Sequence, residues 1–538
     1  MRTQPQRRYA IERPRGWRAR LLLPLVIVMV VLPWKAPPAA QAAAGDLDPA
    51  FGTGGLVTTD FYSGTIIQED VASAVAIQPD GKLVVAGYTY NFSADSEFFD
   101  IAVVRYNPDG SLDPSFGAGG RVVTDLGSPD DSANDVAIGP GGKILVAGST
   151  RVESTRDRDF ALVCYNPDGS LDQSFGTGGV VTTGINGVEY AQDILVQPDG
   201  KILVAGDYFD PWTPNDLALA RYDQNGDLDP SFGAGGIVLT AFGGSYSASM
   251  ALQPDGKIVV AGEATYTDSV NYDFALARYD ADGSLDPSFG SGGLVTTDFG
   301  GSDWASCVAL QEDGKIVAAG TKFTVSTGNT IAVARYGPDG NLDASFGADG
   351  LVTGPIAGTA SSVVARPGGG LYVAGANYGF ALALYASDGS LDTSFGVNGV
   401  VTADFGTMYA EAYDLALQPD GKMVAVGLAA FPGTGSDFAV ARWLGPSATP
   451  QAAIQLLMDG VSGLASRGVL NHGQANALMA KLRAAAKSAD KGNNNAAANQ
   501  LRAFINQVNA FINAGKLTPS DGAPLIQGAN EVINSLDQ

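Results

Sequence analysis

The sequence predicts an all-β seven-bladed β-propeller followed by a small all-α helical bundle. Three observations lead to this fold class. A Leu-Asp pair recurs seven times, at intervals of 65, 59, 57, 57, 57 and 49 residues. Each repeat holds four strand-like segments, and the residues after 451 change to helical spacing. A repeat of this length is typical of a solenoid, a propeller or an array. The seven pairs begin at Leu47, Leu112, Leu171, Leu228, Leu285, Leu342 and Leu391.

The unit from Ala248 to Thr297 shows the four strand signals of one repeat. Its apolar segments read ASMALQ, KIVVAG, DFALARY and, after a turn, SLDPSFGSGGLVTT. Short strands at this spacing with Gly-rich turns between them indicate an all-β protein. Because no segment of the unit has helical periodicity, βαβ units are excluded.

The turns of the repeat follow from the residues that form them. In Pro-Asp-Gly, Pro sets φ at the first corner and Gly takes the left-handed position that restarts a strand. In Asp-Pro-Ser-Phe-Gly, Asp caps a single helical turn and Pro occupies its first position. We expect the Phe of this motif to pack between neighbouring sheets. The Arg of the ARY segment, which recurs in five repeats, is predicted to be structural and paired with a carboxylate or with loop carbonyls.

A sheet with two apolar faces needs a neighbour on each side. Seven such sheets in a ring cover every face and leave only short outer edges. The chain begins with an orphan outer strand, Leu47 to Thr59, and its last repeat ends at Trp443 without one. The N-terminal strand is therefore predicted to complete the seventh blade and close the ring.

Two family resemblances accompany these patterns. The strings LDPSFG, QPDGK and DFALARY resemble the delta-60 repeat family, whose members are predicted propellers, and their order is similar to that of NHL-type blades. The resemblance covers residues 46–444, implies the fold and brings no catalytic residue. The string GVLNHGQANALMAKLRAA and the residues that follow it resemble the FIMAH domain, a helical module of secreted bacterial surface proteins. The resemblance does not imply what that module binds.

The first 42 residues read as an export signal. Seven Arg precede a short apolar run, Leu21 to Leu32, which is followed by Pro33 and by Ala40-Gln41-Ala42. These are the parts of a secretory signal peptide, and a run this short does not cross a bilayer that needs about 20 apolar residues. An uncleaved anchor is the alternative. We predict a secreted, extracellular or cell-surface protein with a signal peptide at 1–42, a propeller at 43–445, a linker at 446–451 and a four-helix domain at 452–538.

Charge restricts the partners of the propeller. Residues 43–446 hold 17 Lys and Arg against 50 Asp and Glu, a formal charge of −33. Such a field repels nucleic acid and anionic lipid. The predicted partners are therefore a protein or a carbohydrate at the cell surface, with no nucleic acid and no membrane span after signal cleavage. The chain is predicted to be a monomer.

The loops of one face vary in every repeat, whereas the turns of the opposite face are nearly constant. Variable loops on a rigid scaffold commonly carry function, and aromatic side chains are favoured at interfaces. The variable face is therefore one candidate binding site; the alternative is that its aromatic residues only fill the central channel. The candidate aromatic residues are Tyr190, Trp212, Tyr246, Trp304 and Tyr409.

Three acids, Asp135, Asp193 and Asp414, occupy the same column at the start of the predicted innermost strands. A carboxylate cluster at a channel mouth can hold a cation, and a solvated channel rim is the alternative. The stretch from Asp223 to Asp229 resembles part of a calcium loop, but turn chemistry explains the same positions in other repeats. No cofactor is predicted, and bound calcium is the alternative.

Two functions follow from these features. The first is a secreted, non-enzymatic binding, scaffold or adhesion protein that presents a variable acidic and aromatic face. The alternative is an extracellular propeller enzyme of lactonase or lyase type, with hydrolytic or eliminative activity at the channel-mouth carboxylates. The chain has one histidine, His472, which lies outside the repeats. Since acid–base or metal residues must converge on the axis of a propeller enzyme, the sequence favours the non-enzymatic function.

Overall fold

A computed structural model describes residues 43–61, 68–93, 96–152, 157–185, 187–209, 216–241, 249–265, 271–376, 379–433, 435–446, 450–466 and 469–536. The predicted export signal, residues 1–42, lies outside the described residues. The same is true of two of the predicted aromatic site residues, Trp212 and Tyr246.

Within these ranges, 28 strands form seven blades of four antiparallel strands. The first strands of blades 1 to 7 are β2 (Gln68–Ile77), β6 (Ser132–Ile138), β10 (Val188–Val196), β14 (Ser249–Leu252), β18 (Ser302–Leu310), β22 (Thr359–Ala365) and β26 (Tyr409–Leu417). The second strands are β3 (Leu83–Ser93), β7 (Ile144–Arg151), β11 (Ile202–Phe209), β15 (Ile258–Thr265), β19 (Ile316–Thr324), β23 (Leu371–Ala376) and β27 (Met423–Phe431). The third strands are β4 (Ser96–Tyr106), β8 (Arg158–Tyr165), β12 (Asp216–Tyr222), β16 (Tyr272–Tyr279), β20 (Gly328–Tyr336), β24 (Phe380–Tyr385) and β28 (Gly435–Trp443). The outer strands are β5 (Arg121–Thr124), β9 (Val180–Thr183), β13 (Ile237–Ala241), β17 (Leu294–Thr297), β21 (Leu351–Ala357), β25 (Val400–Ala403) and, for blade 7, β1 (Leu56–Thr59).

The blades form a closed ring. Each first strand contacts the first strands of the two neighbouring blades, and β26 contacts β2. In the described propeller residues, seven buried apolar clusters each combine side chains from two adjacent blades. Leu203 and Ala205 of blade 3, for example, pack with Ile258 and Val260 of blade 4. The predicted fold class, an all-β seven-bladed propeller followed by a helical unit, is confirmed.

The repeated Arg, Asp and Phe residues connect neighbouring blades. In blade 4, Arg278 Nε donates to Asp286 Oδ2 at 2.7 Å, and the guanidinium lies 4.5 Å from the centre of the Phe289 ring. A second guanidinium nitrogen of Arg278 donates to the carbonyl of Pro338 in the next blade. Since all three side chains of this set are buried, the repeated Arg has a structural role. The same arrangement recurs at Arg105, Arg221, Arg335 and Arg442.

One glycine shows how tightly the blades approach. Gly283 has a φ of +89°, and a Cβ atom added there would lie 2.9 Å from Phe232 Cε2 and 3.1 Å from the Gly233 nitrogen. Phe232 and Gly233 both belong to the preceding blade. Only a residue without a side chain fits a left-handed backbone at this distance.

The N-terminal segment completes blade 7. Strand β1 pairs antiparallel with β28, so that Leu56 lies opposite Ala441. Asp48 is paired with Arg442, with its Oδ2 2.8 Å from Nη2 and 2.9 Å from Nε, and the guanidinium lies 4.3 Å from the centre of the Phe51 ring. The N-terminus thus supplies the Asp and Phe that the last repeat lacks.

The helical unit has a core of its own. Its helices are α1 (Pro450–Ser466), α2 (His472–Ala489), α3 (Asn494–Asn513) and α4 (Pro519–Leu536). Leu478, Leu501 and Phe504 are fully buried in one cluster. Asn471 caps α2, where it accepts from the Gln474 N–H while the Gln474 side chain accepts from the Asn471 N–H. Among the described helices, none is long and apolar enough to cross a membrane.

Candidate functional site

The three described aromatic candidates lie at the starts of first strands in blades 3, 5 and 7. Tyr190 is 36% exposed and has the Arg158 guanidinium over its ring, 5.2 Å from the centre. Trp304 and Tyr409 are half-buried, and the Tyr409 hydroxyl donates to the Glu411 carboxylate. No two of these three blades are neighbours along the ring.

Tyr409 lines a cavity of about 630 Å³ between the outer end of blade 5, blade 6 and the start of blade 7. Phe380 and Phe405 lie in its wall with ring centres 4.9 Å apart, and Met408 at its edge is 80% exposed. Blade 6 has short second and third strands, β23 and β24, of six residues each. In the sequence, blade 6 is marked by the shortened interval of 49 residues before Leu391. Phe405 and Met408 were not predicted as site residues.

The three column acids sit directly after a β-bulge in their strands. The register of the first strand against the second shifts just before Asp135, Asp193 and Asp414. A bulge adds one residue to one strand and re-aims the side chains that follow it. The side chains of the three acids are thereby placed at the junctions between first strands.

Each of these carboxylates accepts a backbone hydrogen bond from the next blade. Asp135 Oδ2 accepts from Ile194 at 2.9 Å, Asp193 Oδ2 from Met250 at 2.6 Å, and Asp414 Oδ2 from Val75 at 2.9 Å. In blade 4, Ser249 takes the same part through its hydroxyl, which accepts from the Val308 N–H at 3.3 Å. The side chains at this strand position therefore join adjacent blades through hydrogen bonds.

The three acids also interact with one another. Burial raises the pKa of Asp135 well above its ordinary value, and the charges of Asp193 and Asp414 raise it further. Burial also raises the pKa of Asp193, and it raises that of Asp414 to about 6. Asp135 Oδ2 is bonded to the N–H of Ile194, the residue directly after Asp193, so the two acids lie beside each other. The structure thus brings Asp414 into the same electrostatic group, although the blade that carries Ala74 separates it from Asp135 along the ring.

A second pair of buried acids was not predicted from the sequence. Glu263 and Asp207 lie one residue after the glycine of the second strands in blades 4 and 3, and both are more than nine-tenths buried. Burial raises the pKa of Glu263 to about 8, and the charge of Asp207 adds to the rise. Gln192 donates to Asp207 Oδ2 at 2.9 Å. The sequence signal was an acid directly after the VAG segment, where the other repeats have neutral residues.

Three groups of three aspartates, among the residues that the structure describes, bring carboxylate oxygens within 4.8 Å of one another. They lie at the interfaces of blades 7 and 1, 1 and 2, and 4 and 5, and none was predicted. The groups are Asp60, Asp70 and Asp437; Asp100, Asp125 and Asp131; and Asp273, Asp298 and Asp303.

The stretch from Asp223 to Asp229, which resembles part of a calcium loop, uses its first carboxylate within its own turn. Asp223 Oδ1 accepts from the N–H groups of Asn225 and Asp227.

Family comparisons match both parts of the chain. A family model described as "Domain of unknown function (DUF5122) beta-propeller" matches residues 78–116, 140–175, 197–232, 253–289, 311–346, 368–395 and 418–442. The propeller thus holds seven DUF5122 β-propeller repeats. A second model, the FIMAH domain, matches residues 454–534. The propeller and FIMAH resemblances found in the sequence are therefore confirmed. No curated protein is significantly similar to the chain.

Solved structures resemble the DUF5122 propeller at low identity. The β-propeller domain of the trilobed protease from Pyrococcus furiosus is 11% identical, with a TM-score of 0.38 over 70% of this chain and 93% of that chain. The α-L-arabinanase of Penicillium chrysogenum is 12% identical, with a TM-score of 0.38 over 74% of this chain and 96% of that one. An ulvan lyase of polysaccharide lyase family PL25 is 12% identical, with a TM-score of 0.41 over 71% and 95%.

These structures correct the prediction that the protein is not an enzyme. Glycoside hydrolases, arabinofuranosidases and a polysaccharide lyase are prominent among them, so the fold gives no ground for excluding catalysis. The absence of histidine from the repeats misled the sequence reasoning, because carboxyl groups alone can supply acid and base. At this identity the likeness concerns the fold and assigns neither a substrate nor a catalytic residue to the DUF5122 propeller.

Proposed function

We propose that the DUF5122 propeller is an extracellular enzyme that carries out hydrolysis or elimination at its channel, with Asp135 as the acid and Asp193 as the base. The observation that carries this proposal is that Asp135 Oδ2 accepts the N–H of Ile194, the residue after Asp193, at 2.9 Å, which brings two half-buried carboxyl groups of adjacent first strands beside each other. Two carboxyl groups that share a site do not both ionise near neutral pH, so the pair retains one proton. One member can then donate a proton while the other accepts one.

The surroundings favour Asp135 as the member that holds the proton. After burial, the charges of Asp193 and Asp414 raise its pKa. Asp193 accepts the Met250 N–H at 2.6 Å, which lowers its pKa and favours its ionised form. Asp414 thus supports the acid through its charge.

In hydrolysis, Asp193 removes a proton from a water molecule whose oxygen attacks the substrate carbon. Asp135 gives its proton to the leaving-group oxygen as the bond between carbon and oxygen breaks. Return of the proton from Asp193 to Asp135 restores the pair. In elimination, Asp193 takes the proton from a carbon atom and not from water, and Asp135 again protonates the leaving group.

The charge of the propeller limits the substrate class. A net charge of −33 on residues 43–446 repels anions and does not repel neutral or cationic molecules. We therefore propose a neutral glycoside, ester or lactone as substrate. We also infer that residues 1–42 direct export and that the reaction takes place outside the cell.

The activity is tested with residues 43–538 on neutral aryl glycosides, aryl esters and lactones. Asp135→Asn and Asp193→Asn are each expected to lower kcat by about 10²- to 10⁴-fold. Wild-type kcat should fall as pH rises, because Asp135 then loses its proton. Asp199→Asn, at a turn acid whose side chain is 59% exposed, is the control and should leave kcat unchanged.

Thermal unfolding of each variant is measured in parallel, because Asp135 and Asp193 also bind the next blade. A variant that folds with the wild-type melting temperature and keeps full kcat would contradict the proposed acid and base. Absence of wild-type turnover on all three substrate classes would contradict the proposed reaction.

The cavity beside Tyr409 favours a second function, the binding of a neutral carbohydrate. Aromatic rings of Phe405 and Tyr409, the exposed Met408 and the polar Asp404 and Thr407 line one concave site. Sugar rings pack against aromatic faces while their hydroxyls bond to a few polar groups, and pockets of this size suit small ligands. This binding function is compatible with catalysis at the channel.

Binding at the cavity is measured on an array of neutral glycans and by calorimetry with the best ligand. Tyr409→Ala is expected to weaken binding by about 10-fold or more, since a packed aromatic side chain contributes about 1.5 kcal/mol beyond its buried area. Tyr190→Ala, at the equivalent strand start but outside the cavity, serves as the matched control. Equal losses in both variants, or no glycan bound by the wild type, would exclude this cavity as the site.

A further inference from the structure

Three equivalent groups of aspartates lie between blades, and one of them differs from the others. Each group combines an acid on a third strand, an acid just after the outer strand of the same blade and a buried acid near the start of the next blade. Between blades 4 and 5 these are Asp273, Asp298 and Asp303. Asp303 is fully buried and Asp298 is exposed.

In the other two groups, donors reach both oxygens of the buried acid. Asp70 accepts from the Thr89 hydroxyl at 2.5 Å and from the Phe61 N–H at 2.9 Å. Asp131 accepts from the Thr150 hydroxyl at 2.6 Å through one oxygen and from the Leu126 N–H at 2.8 Å through the other. These acids are therefore satisfied by the protein itself.

Asp303 has a donor for only one oxygen. Its Oδ2 accepts from the Phe299 N–H at 2.7 Å, whereas its Oδ1 is buried without a hydrogen-bond partner. The second strand of blade 5 has Lys322 opposite Asp303, where Thr89 and Thr150 stand opposite Asp70 and Asp131. Lys322 directs its ammonium to the Phe299 carbonyl. A buried carboxylate oxygen without a donor is costly and calls for a missing partner.

The charges at this interface match a divalent cation. Three carboxylates and the ammonium of Lys322, whose charge acts on Asp303, sum to −2 when all are ionised. Gly301 lies beside the unpaired oxygen, where a Cβ atom would be 3.3 Å from Asp303 Oδ1 and 2.3 Å from the Phe323 carbonyl oxygen. Calcium takes oxygen ligands at 2.3–2.6 Å in a flexible geometry and completes its shell with water. Two such ligands on opposite sides of the ion are about 4.8 Å apart, which is the limit within which these oxygens lie.

We propose that one calcium ion binds between blades 4 and 5, held by Asp273, Asp298 and the unpaired oxygen of Asp303. The ion joins the third and outer strands of blade 4 to the first strand of blade 5. It thereby stabilises an interface that would otherwise hold three like charges. The site is independent of the channel acids and of the proposed enzyme activity.

The test uses residues 43–538 after removal of metal with a chelator. Calcium chloride is expected to raise the melting temperature and to bind with a stoichiometry of one in isothermal titration calorimetry. Asp298→Asn should abolish both effects. Asp125→Asn is the matched control, because Asp125 is also exposed and also accepts the N–H of the glycine two residues on; it should retain both effects.

Each other result would overturn the proposal. Absence of calcium binding to the wild type excludes the site, and binding retained in Asp298→Asn places the ion elsewhere. Loss of binding in Asp125→Asn alone assigns the ion to the interface of blades 1 and 2. A stabilisation by magnesium as large as that by calcium, at the same concentration, overturns the assignment to calcium.

Discussion

Replacement of Asp48 by alanine is expected to lower the free energy of unfolding by about 3–5 kcal/mol, the cost of leaving a buried charge without its partner. The guanidinium of Arg442 and the carboxylate of Asp48 are both buried, and they lie 394 residues apart in sequence. Alanine at position 48 also lacks the carboxylate oxygen that accepts the Ala50 N–H at 2.9 Å, and this loosens the turn that carries Phe51. The ring is then weakened where no covalent connection supports it.

Chemical denaturation of residues 43–538 measures this effect, with two variants for comparison. Asp46→Ala changes an exposed acid two residues away and should cost less than about 0.5 kcal/mol. Asp286→Ala breaks the equivalent pair in blade 4, where the partners are eight residues apart. We expect Asp48→Ala to be at least as destabilising as Asp286→Ala. A smaller loss of stability in Asp48→Ala than in Asp286→Ala would mean that the closure of the ring is no more sensitive to loss of this ion pair than the other interfaces between blades are.

The stability of the protein should fall as pH rises from about 5 to 8.5. Burial, followed by the charge of Asp207, raises the pKa of Glu263 to about 8. Burial likewise raises that of Glu189 to about 7. An acid whose pKa is higher in the folded state binds more protons in that state than in the unfolded one. Its contribution to the free energy of unfolding is therefore complete below the pKa of the acid in the unfolded chain, and it is lost as pH rises through the pKa in the folded protein. At 1.36 kcal/mol per pKa unit, Glu263 alone accounts for a loss of about 3 kcal/mol or more.

Glu263→Gln isolates this contribution, because an amide resembles the protonated acid and does not ionise. The variant should unfold at a temperature close to that of the wild type at pH 5 and at a higher temperature at pH 8.5. Glu69→Gln, at an exposed position, should show the wild-type dependence on pH. If Glu263→Gln and the wild type lose the same stability between the two pH values, Glu263 is not the titrating group.

The channel acids have a structural role, the pairing of blades, beside the proposed catalytic role. Asp135, Asp193 and Asp414 each bind a backbone N–H of the next blade. The same acids form the group on which the proposed reaction depends. An Asp replaced by Asn keeps an oxygen that can accept the N–H but loses the titrating proton, so amide variants separate catalysis from blade pairing more cleanly than alanine variants do.

By itself, the sequence determined the architecture of this protein. The period of the repeat, the alternation of apolar residues and the turn residues are local properties, and a local pattern repeated seven times leaves a closed ring as the way to bury every sheet face. The Arg of ARY and the Phe of the SFG segment were understood as structural from their recurrence alone. The helical spacing after residue 451 likewise predicted the second domain.

Only the tertiary structure decided how the acids act. Asp414 joins Asp135 and Asp193 across a blade that carries Ala74 in their column, because the charges of these buried acids act on one another through space and not along the chain. Glu263 and Asp207 come together from second strands of different blades. The unpaired oxygen of Asp303 depends on a lysine on the neighbouring strand, where two other blades have threonine. The pKa of a carboxyl group depends on burial and on charges from distant residues, and neither quantity is written in the neighbouring sequence.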